Sequence, residues 1–283
     1  MITVLESINR SSEFLKNKGI ESPRINAELL LAHILNCKRL NLYLAFDRPL
    51  SEEELEKYRS LLKRRIKFEP LQYIIGNVEF YGLEFIVNSS VLIPRQETEI
   101  LIETVIQQYK TSQTLKILDI GTGSGNIAIS LAKNLSNSYI TAIDISEEAL
   151  KTANENAILN SVADKIEFMR NDFLNDEFNK SDYDIVVSNP PYVSIEEFQN
   201  LQPELKSYEP KMALTDYDSG LRFYELISER SKYLLNQGGR LFFEVGRGQF
   251  AKVSEILTCN GLQNIRVIKD YLNIERVISG EKI

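Results

Sequence analysis

Leu115-Lys-Ile-Leu-Asp-Ile-Gly-Thr-Gly-Ser-Gly125 is the stretch whose reading decides the fold. Its apolar run from Leu115 to Ile120 reads as a strand buried on both faces, as in a parallel sheet. Glycines at 121, 123 and 125 stop the strand and allow a tight turn with bare backbone facing outward. Helical periodicity resumes at Asn126 and runs to about Asn134. Strand, glycine loop and helix together open a doubly wound α/β fold.

The alternation continues to the end of the chain. Tyr139–Ile143, Ile166–Arg170, Asp184–Ser188 and Arg240–Val245 read as further strands. Glu147–Asn160, Leu221–Leu235 and Gln249–Asn260 read as the helices between them. Asn264–Lys269 and Glu275–Ser279 read as a closing pair that brings in the one antiparallel strand of the sheet.

Open sheets of this kind bind ligands at the carboxyl ends of their strands. Asp144 ends the strand after the glycine loop, nineteen residues past Gly125, where a carboxylate can accept from both hydroxyls of a ribose. The loop Gly121-Thr122-Gly123-Ser124-Gly125 has the spacing Gly-x-Gly-x-Gly, not the Gly-x-Gly-x-x-Gly of a pyrophosphate cradle. A nucleoside cofactor without phosphate fits better, and S-adenosylmethionine (SAM) is the obvious one. At the next strand end Asp172 is placed to accept from an adenine amino group and Phe173 to cover the ring, or the pair simply forms a turn.

The fourth strand delivers Asn189-Pro190-Pro191-Tyr192. Each proline fixes its own φ and biases the preceding residue toward extended geometry, so this loop is stiff. The Asn189 side-chain oxygen and the Pro190 carbonyl can accept both hydrogens of an –NH2 on a planar carbon, with Tyr192 stacked on that group. Read plainly, the same residues end a strand and bury an aromatic.

The remaining sequence sets bounds. The chain has 283 residues, is 43% hydrophobic and carries a net charge of −7, which describes a globular protein without a broad nucleic-acid surface. Cys37 and Cys259 read as free thiols, and no residues fall in metal-ligand spacing. Met1-Ile-Thr-Val-Leu-Glu-Ser does not look like a leader and no apolar run approaches membrane length, so a cytoplasmic monomer is expected. Residues 1–74 read as a helical domain. Leu5, Ile8, Ser12 and Leu15 mark the first face, Arg24–Leu35 forms the second helix, and Ser51-Glu-Glu-Glu54 makes a capping box for a third helix running to about Lys67. His33, set among Leu31, Ala32 and Ile34, reads as structural. The basic run Lys57, Arg59, Lys63, Arg64, Arg65 and Lys67 is either a solvated helix face or a docking surface. Residues 75–90 read as a β-hairpin connector and 91–283 as the methyltransferase domain, with Pro94-Arg95-Gln96-Glu97 placed to line a cleft entrance and Arg95 or Glu99 to lock the loop, or to form a structural salt bridge.

These motifs, in this order, resemble the HemK/PrmC family of SAM-dependent glutamine-N5 methyltransferases. The likeness spans nearly the whole chain and includes Arg24-Ile-Asn-Ala-Glu-Leu-Leu-Leu31, Glu69-Pro-Leu-Gln-Tyr-Ile-Ile-Gly76, Glu79-Phe-Tyr-Gly82 and Val91-Leu-Ile-Pro-Arg95. It also includes Leu118–Gly125, Ser188–Tyr192 and Glu209–Leu214. The resemblance implies a Rossmann-like methyltransferase sheet and methylation of the glutamine in the Gly-Gly-Gln motif of class 1 peptide-chain release factors. It further implies SAM contacts from Gly121, Gly123, Gly125, Asp144 and Phe173, with Asn189 to Tyr192 on the glutamine. Direct binding of nucleic acid is not expected. Asn-Pro-Pro-Tyr is shared with adenine-N6 methyltransferases acting on nucleic acid, so that activity stands as the alternative, beside glutamine methylation of a ribosomal protein and a SAM-binding adaptor without activity. Two departures are visible. Phe173 stands where many relatives have Trp, and the terminal Asp-Leu-x-Gly-x-x-Arg pattern appears as Asp270-Tyr-Leu-Asn-Ile-Glu-Arg276, without its glycine.

Overall fold

Seven strands in the order β5-β4-β3-β6-β7-β9-β8 form the central sheet of a computed structural model that describes residues 2–109 and 114–283. The strands are β3 (Leu115–Ile120), β4 (Ser138–Asp144), β5 (Ile166–Arg170), β6 (Tyr183–Ser188), β7 (Leu235–Glu244), β8 (Gln263–Lys269) and β9 (Glu275–Glu281). All are parallel to their neighbours except β9, which runs antiparallel to both β7 and β8. The chain enters at β3, winds outward through β4 and β5, then returns to β6 on the other side of β3. Strand order therefore reverses between β3 and β6, and at that point the Ser188 hydroxyl donates to the Ile120 carbonyl at 2.7 Å.

Strand period sorts the core into two layers. Ile117, Ile185, Val187, Phe242 and Val277 face one cluster, and their alternates Leu118, Val186, Leu241, Phe243 and Ile278 face the other. The first cluster is covered by α5 (Gln96–Tyr109), α6 (Asn126–Asn134) and α7 (Glu147–Leu159). The second is covered by the helices Arg222–Leu234 and Phe250–Cys259. Residues with no exposed polar face, such as those of β6, are thus buried twice over.

A hairpin of β1 (Asn77–Phe80) and β2 (Leu83–Ile86) turns through Tyr81 and Gly82, both at positive φ (50° and 70°), as a two-residue hairpin turn requires. It packs into the same unit as the sheet. Asn156 on α7 donates to the Ile86 carbonyl (3.0 Å) and accepts from its N–H (2.6 Å), while also donating to the Ser124 carbonyl (2.9 Å).

The second compact unit comprises residues 1–76 together with 203–208. Its helices are α1 (Val4–Asn17), α2 (Pro23–Ile34), α3 (Glu52–Arg65), the short α4 (Leu71–Ile75) and the later helix Pro203–Tyr208, with a 3-10 turn at Arg39–Leu44. The capping box expected at Ser51 is formed, with Glu54 N–H on Ser51 Oγ and Ser51 N–H on Glu54 Oε2. The buried face of α1 is Val4, Ser7, Ile8, Ser11 and Leu15, about a quarter turn away from Leu5 and Ser12, which are half-buried at its edge. Two small serines, Ser7 and Ser11, are buried on this face. His33 lies exposed at the end of α2, so the expectation that it is a structural residue needs correcting: it faces away from the apolar neighbours that suggested it.

The basic run divides. Lys57 pairs with Glu53 at 2.7 Å and Arg64 with Glu69 at 2.5 Å. Arg65 is buried, donating to Asn26 Oδ1 at 2.7 Å and pairing with Glu204 at 2.7 Å. No helix among the described residues is long and apolar enough to cross a membrane.

Candidate active site

Register brings the strand ends together. Ile120 pairs with Ile143 and with Ser188, and Asp144 pairs with Arg170. The next residues of each strand therefore emerge along one edge and line a cavity of about 300 Å3. Gly121, Gly123, Asp144, Asp172, Phe173, Asn189, Pro190 and Pro191 all reach it.

The glycine loop is held by its backbone. Gly121 and Thr122 N–H both donate to the Ile143 carbonyl (2.9 and 3.0 Å), and Gly125 N–H closes the turn on Thr122 at 2.8 Å. The Thr122 hydroxyl donates to Asp119 Oδ2 at 2.7 Å. Asp119 is fully buried, its Oδ1 has no hydrogen-bond partner among the described residues, and burial pushes its pKa up to about 7. Thr122, Ser124 and Gly125 do not line the cavity. Thr122 and Ser124 are turned into the interior, and Gly125 packs against α6 and α7.

Asp144 is fixed from two sides, Oδ2 accepting from Gly123 N–H and Oδ1 from Ser146 N–H, each at 2.9 Å. Burial raises its pKa, and these N–H groups pull it back down. Each oxygen keeps a lone pair for a ligand. Asp172 accepts from Leu174 N–H (3.1 Å) and Asn175 Nδ2 (2.7 Å), which shapes its turn. The Phe173 ring is backed by the Arg230 guanidinium at 4.8 Å, and Arg230 also donates to the Phe173 carbonyl at 2.7 Å.

At the switch point, Asn189 Nδ2 donates to Thr98 Oγ1 at 3.2 Å, and Asn189 Oδ1 accepts nothing among the described residues. Thr98 sits in the first turn of α5 and is buried. Tyr192 does not line the cavity. Its ring packs beside Gly246 on the second core cluster, and burial pushes its phenol up to about 12. Its carbonyl accepts from Gln249 Nε2 at 2.9 Å, so the proline loop is pinned at its far end.

Several residues here escaped the sequence reading. Ser90, Val91 and Leu92 line the cavity from the stretch before Arg95, Met212 and Tyr217 from the segment ahead of the helix Arg222–Leu234, and Arg222 and Phe223 from the first turn of that helix. Val91, Leu92 and Met212 lie in stretches that carry the family resemblance, but nothing in their local pattern says that they face a ligand, because tertiary packing decides that. Arg95 forms the expected structural ion pair, with Glu209, while Glu99 accepts from Tyr81 N–H at 2.9 Å. The terminal departure also has a physical answer. Asn273 stands at φ 64°, the left-handed region that glycine favours and asparagine tolerates. The turn still closes, with Arg276 on Asp270 at 2.9 Å and reaching Glu97 at 3.6 Å.

Comparison with known proteins bears directly on this geometry. Residues 6–76 match the PrmC N-terminal domain and 95–204 the methyltransferase small domain. A release factor glutamine methyltransferase of Fusobacterium nucleatum is 42% identical, over 98% of this chain and 78% of that protein. Its counterpart in Chlorobaculum tepidum is 39% identical, over 98% of this chain and 96% of that protein. Among solved structures, the hMettl16 catalytic domain in complex with MAT2A 3′UTR hairpin 6 aligns at a TM-score of 0.59 with 18% identity, covering 82% of this chain and 83% of that one, which shows the fold. Likeness to the two bacterial enzymes runs through the helical unit and the sheet alike, and by it the chain belongs to the release factor glutamine methyltransferase family.

Proposed function

We propose that this protein transfers a methyl group from SAM to the side-chain amide nitrogen of the glutamine in the Gly-Gly-Gln motif of class 1 release factors. The observation that carries the reading is Asn189. Its N–H side is engaged with Thr98 and its oxygen is left over at the cavity wall, which suits a substrate that brings only N–H donors. The names borne by the relatives point to the same substrate.

The cavity residues fit the cofactor. A Cβ at Gly121 or Gly123 would meet nothing within 4 Å, so bare backbone faces open space there, and Asp144 offers two anchored carboxylate oxygens for ribose hydroxyls. Asp172 would receive the adenine amino group and Phe173 the ring, with Thr122, Ser124 and Gly125 shaping the loop. When bound, SAM supplies an electrophilic methyl group on a sulfonium. Everything else is alignment by this chain. Asn189 Oδ1 and the Pro190 carbonyl accept the two amide hydrogens, orient the nitrogen, and stabilise the positive charge that grows on it. Positioning of this kind contributes up to about 7–11 kcal/mol of barrier reduction. A nitrogen that has become positively charged is acidic and releases its extra proton to water, so a strong base is not required. Pro191 and Tyr192 stiffen the loop. We assign residues 1–74 to recognition of the release factor, 75–90 to the hairpin, and 91–283 to methyl transfer.

The test is transfer of labelled methyl from SAM to unmodified release factor, beside a Gln→Ala variant of its Gly-Gly-Gln motif and a nucleic-acid panel. Label confined to the unaltered factor is expected. Label on nucleic acid, or on the variant, sinks the substrate assignment. Asn189→Ala should lower kcat by about 100-fold or more while SAM affinity stays within a few-fold. Equal losses in both would refute the role given to Asn189.

A further inference from the structure

A side-chain amide ends in two groups of nearly the same shape but opposite hydrogen-bonding character. Rotating Asn189 by half a turn would aim an NH2 at the substrate's NH2, donor against donor. The enzyme works only with the oxygen outward, so something must forbid the other orientation. Thr98 cannot do so alone. A hydroxyl both donates and accepts, so it would serve Asn189 Nδ2 in one orientation and Oδ1 in the other.

The missing constraint lies one residue past the end of the β6–β7 register. Ser188 pairs with Phe243, so Asn189, the first residue past β6, comes beside Glu244, the last residue of β7, which still pairs with Val277 on β9. Glu244 is buried at 2% exposure, its Oε2 has no hydrogen-bond partner among the described residues, and the Thr98 and Asn189 side chains are near enough to favour its ionised form. An ionised carboxylate can only accept. If it takes the Thr98 hydroxyl proton, that hydroxyl has only lone pairs left to offer, and Asn189 must turn its N–H side inward.

We infer that Glu244 is a positioning residue for methyl transfer, acting through Thr98 to hold the Asn189 amide with its oxygen toward the substrate. This rests on the reading of Asn189 as the acceptor of the target amide. It adds that the loop needs an ionised buried acid behind it. Burial pushes Glu244 up to about 7, with the side chains of Thr98 and Asn189 and the charge of Arg276 pulling down and the charge of Glu97 pushing up. The phenols of Tyr192 and Tyr224 also face it. Protonated, Glu244 becomes a donor and the constraint on Thr98 is released.

The experiment compares wild type, Glu244→Gln, Thr98→Val, Thr98→Ser and the Glu244→Gln/Thr98→Val double variant with release factor and labelled SAM across pH 5.5–9. Glu244→Gln and Thr98→Val are expected to lower kcat by about 10–100-fold, with KM for the factor and SAM affinity within about threefold. The double variant should be no slower than the slower single, and Thr98→Ser should recover the rate lost in Thr98→Val. Wild-type kcat should rise with pH up to about 7 and level off, and Glu244→Gln should be flat. A Glu244→Gln enzyme with wild-type kcat and pH profile, or effects that multiply in the double variant, overturns the inference. If wild type labels no release factor at all, the substrate reading fails instead. The positioning is then read from the 15N resonance of the Asn189 amide in the substrate-free protein. It should titrate near neutral pH in wild type and not in Glu244→Gln, and a resonance indifferent to both overturns the inference.

Discussion

Two glycines of one loop should fail in opposite ways when each is replaced by alanine. Gly125 has φ +81°, and a Cβ there would lie 2.9 Å from Ile129 Cδ1, 3.2 Å from Ala153 Cβ and 3.4 Å from Ala153 Cα. The left-handed backbone costs a residue with a Cβ about 1–2 kcal/mol. Crowding between packed helices adds about 1–3 kcal/mol, since the contact includes backbone that cannot swing away. Gly125→Ala should therefore lose about 2–5 kcal/mol, which for a protein of this size lowers Tm by roughly 5–15 °C. Gly121 has φ +76°, but its Cβ would meet nothing within 4 Å and would stand at the cavity wall. Gly121→Ala should cost only the backbone term of about 1–2 kcal/mol. Its larger effect should be on SAM affinity, weakened about tenfold or more by a methyl in the ligand's space, since tenfold is only about 1.4 kcal/mol. Thermal unfolding and calorimetric titration of both variants separate the two. If Gly121→Ala melts as low as Gly125→Ala while binding SAM normally, the division of labour argued from these distances is refuted.

Stability should also depend on pH. Asp119 and Glu244, both pushed up to about 7 by burial, keep protons in the folded chain that the unfolded chain gives up. Their contribution is complete below about pH 4 and is lost as pH rises through about 7, by at most on the order of 3–4 kcal/mol per group. Asp119→Asn should flatten that slope in urea titrations at pH 5 and pH 8, and an unchanged slope would count against the assignment. Arg65→Ala should destabilise the helical unit by about 3 kcal/mol, because a buried hydrogen-bonded ion pair loses one partner. Hydrogen exchange along α3 is the direct readout, and unaltered protection would contradict the burial argument. Asn273→Gly should leave Tm nearly unchanged, whereas Asn273→Val should cost about 1–2 kcal/mol, as a branched side chain does not tolerate φ 64°. Equal melting of the two would argue against a left-handed turn there.

Much of the sheet was legible because buried strands announce themselves. Ile185-Val-Val187 and Leu115–Ile120 could be little else, and the glycine loop and Asp144 fix which strand ends matter. The three glycines looked equivalent in sequence, yet two face the cavity and the third faces helices, a distinction that only packing makes. Tyr192 was expected against the substrate from its place in the motif, but its ring packs beside Gly246, and no sequence pattern says which way an aromatic after two prolines will turn. Glu244 was invisible for a related reason. An acid at the end of an apolar strand reads as a solvent-facing stop, and only the β6–β7 register shows that it closes against Asn189. The absent terminal glycine misled in the other direction, since asparagine can occupy the same backbone region.

The pairing of Arg65 with Glu204 also sets a schedule. The two residues are 139 positions apart in the chain, so during synthesis at about 5–20 residues per second the arginine waits on the order of 7–30 s for its carboxylate. Until then its guanidinium has, among the described residues, the Asn26 side chain and the Glu69 carbonyl. The earlier-made of the two units is thus finished late, by a six-residue segment, Pro203–Tyr208, made after four of the seven strands of the sheet. A nascent chain stalled before residue 203 would hold the helices of residues 1–76 with an unpaired buried charge, a state open to proteolysis that release of the later segment shuts.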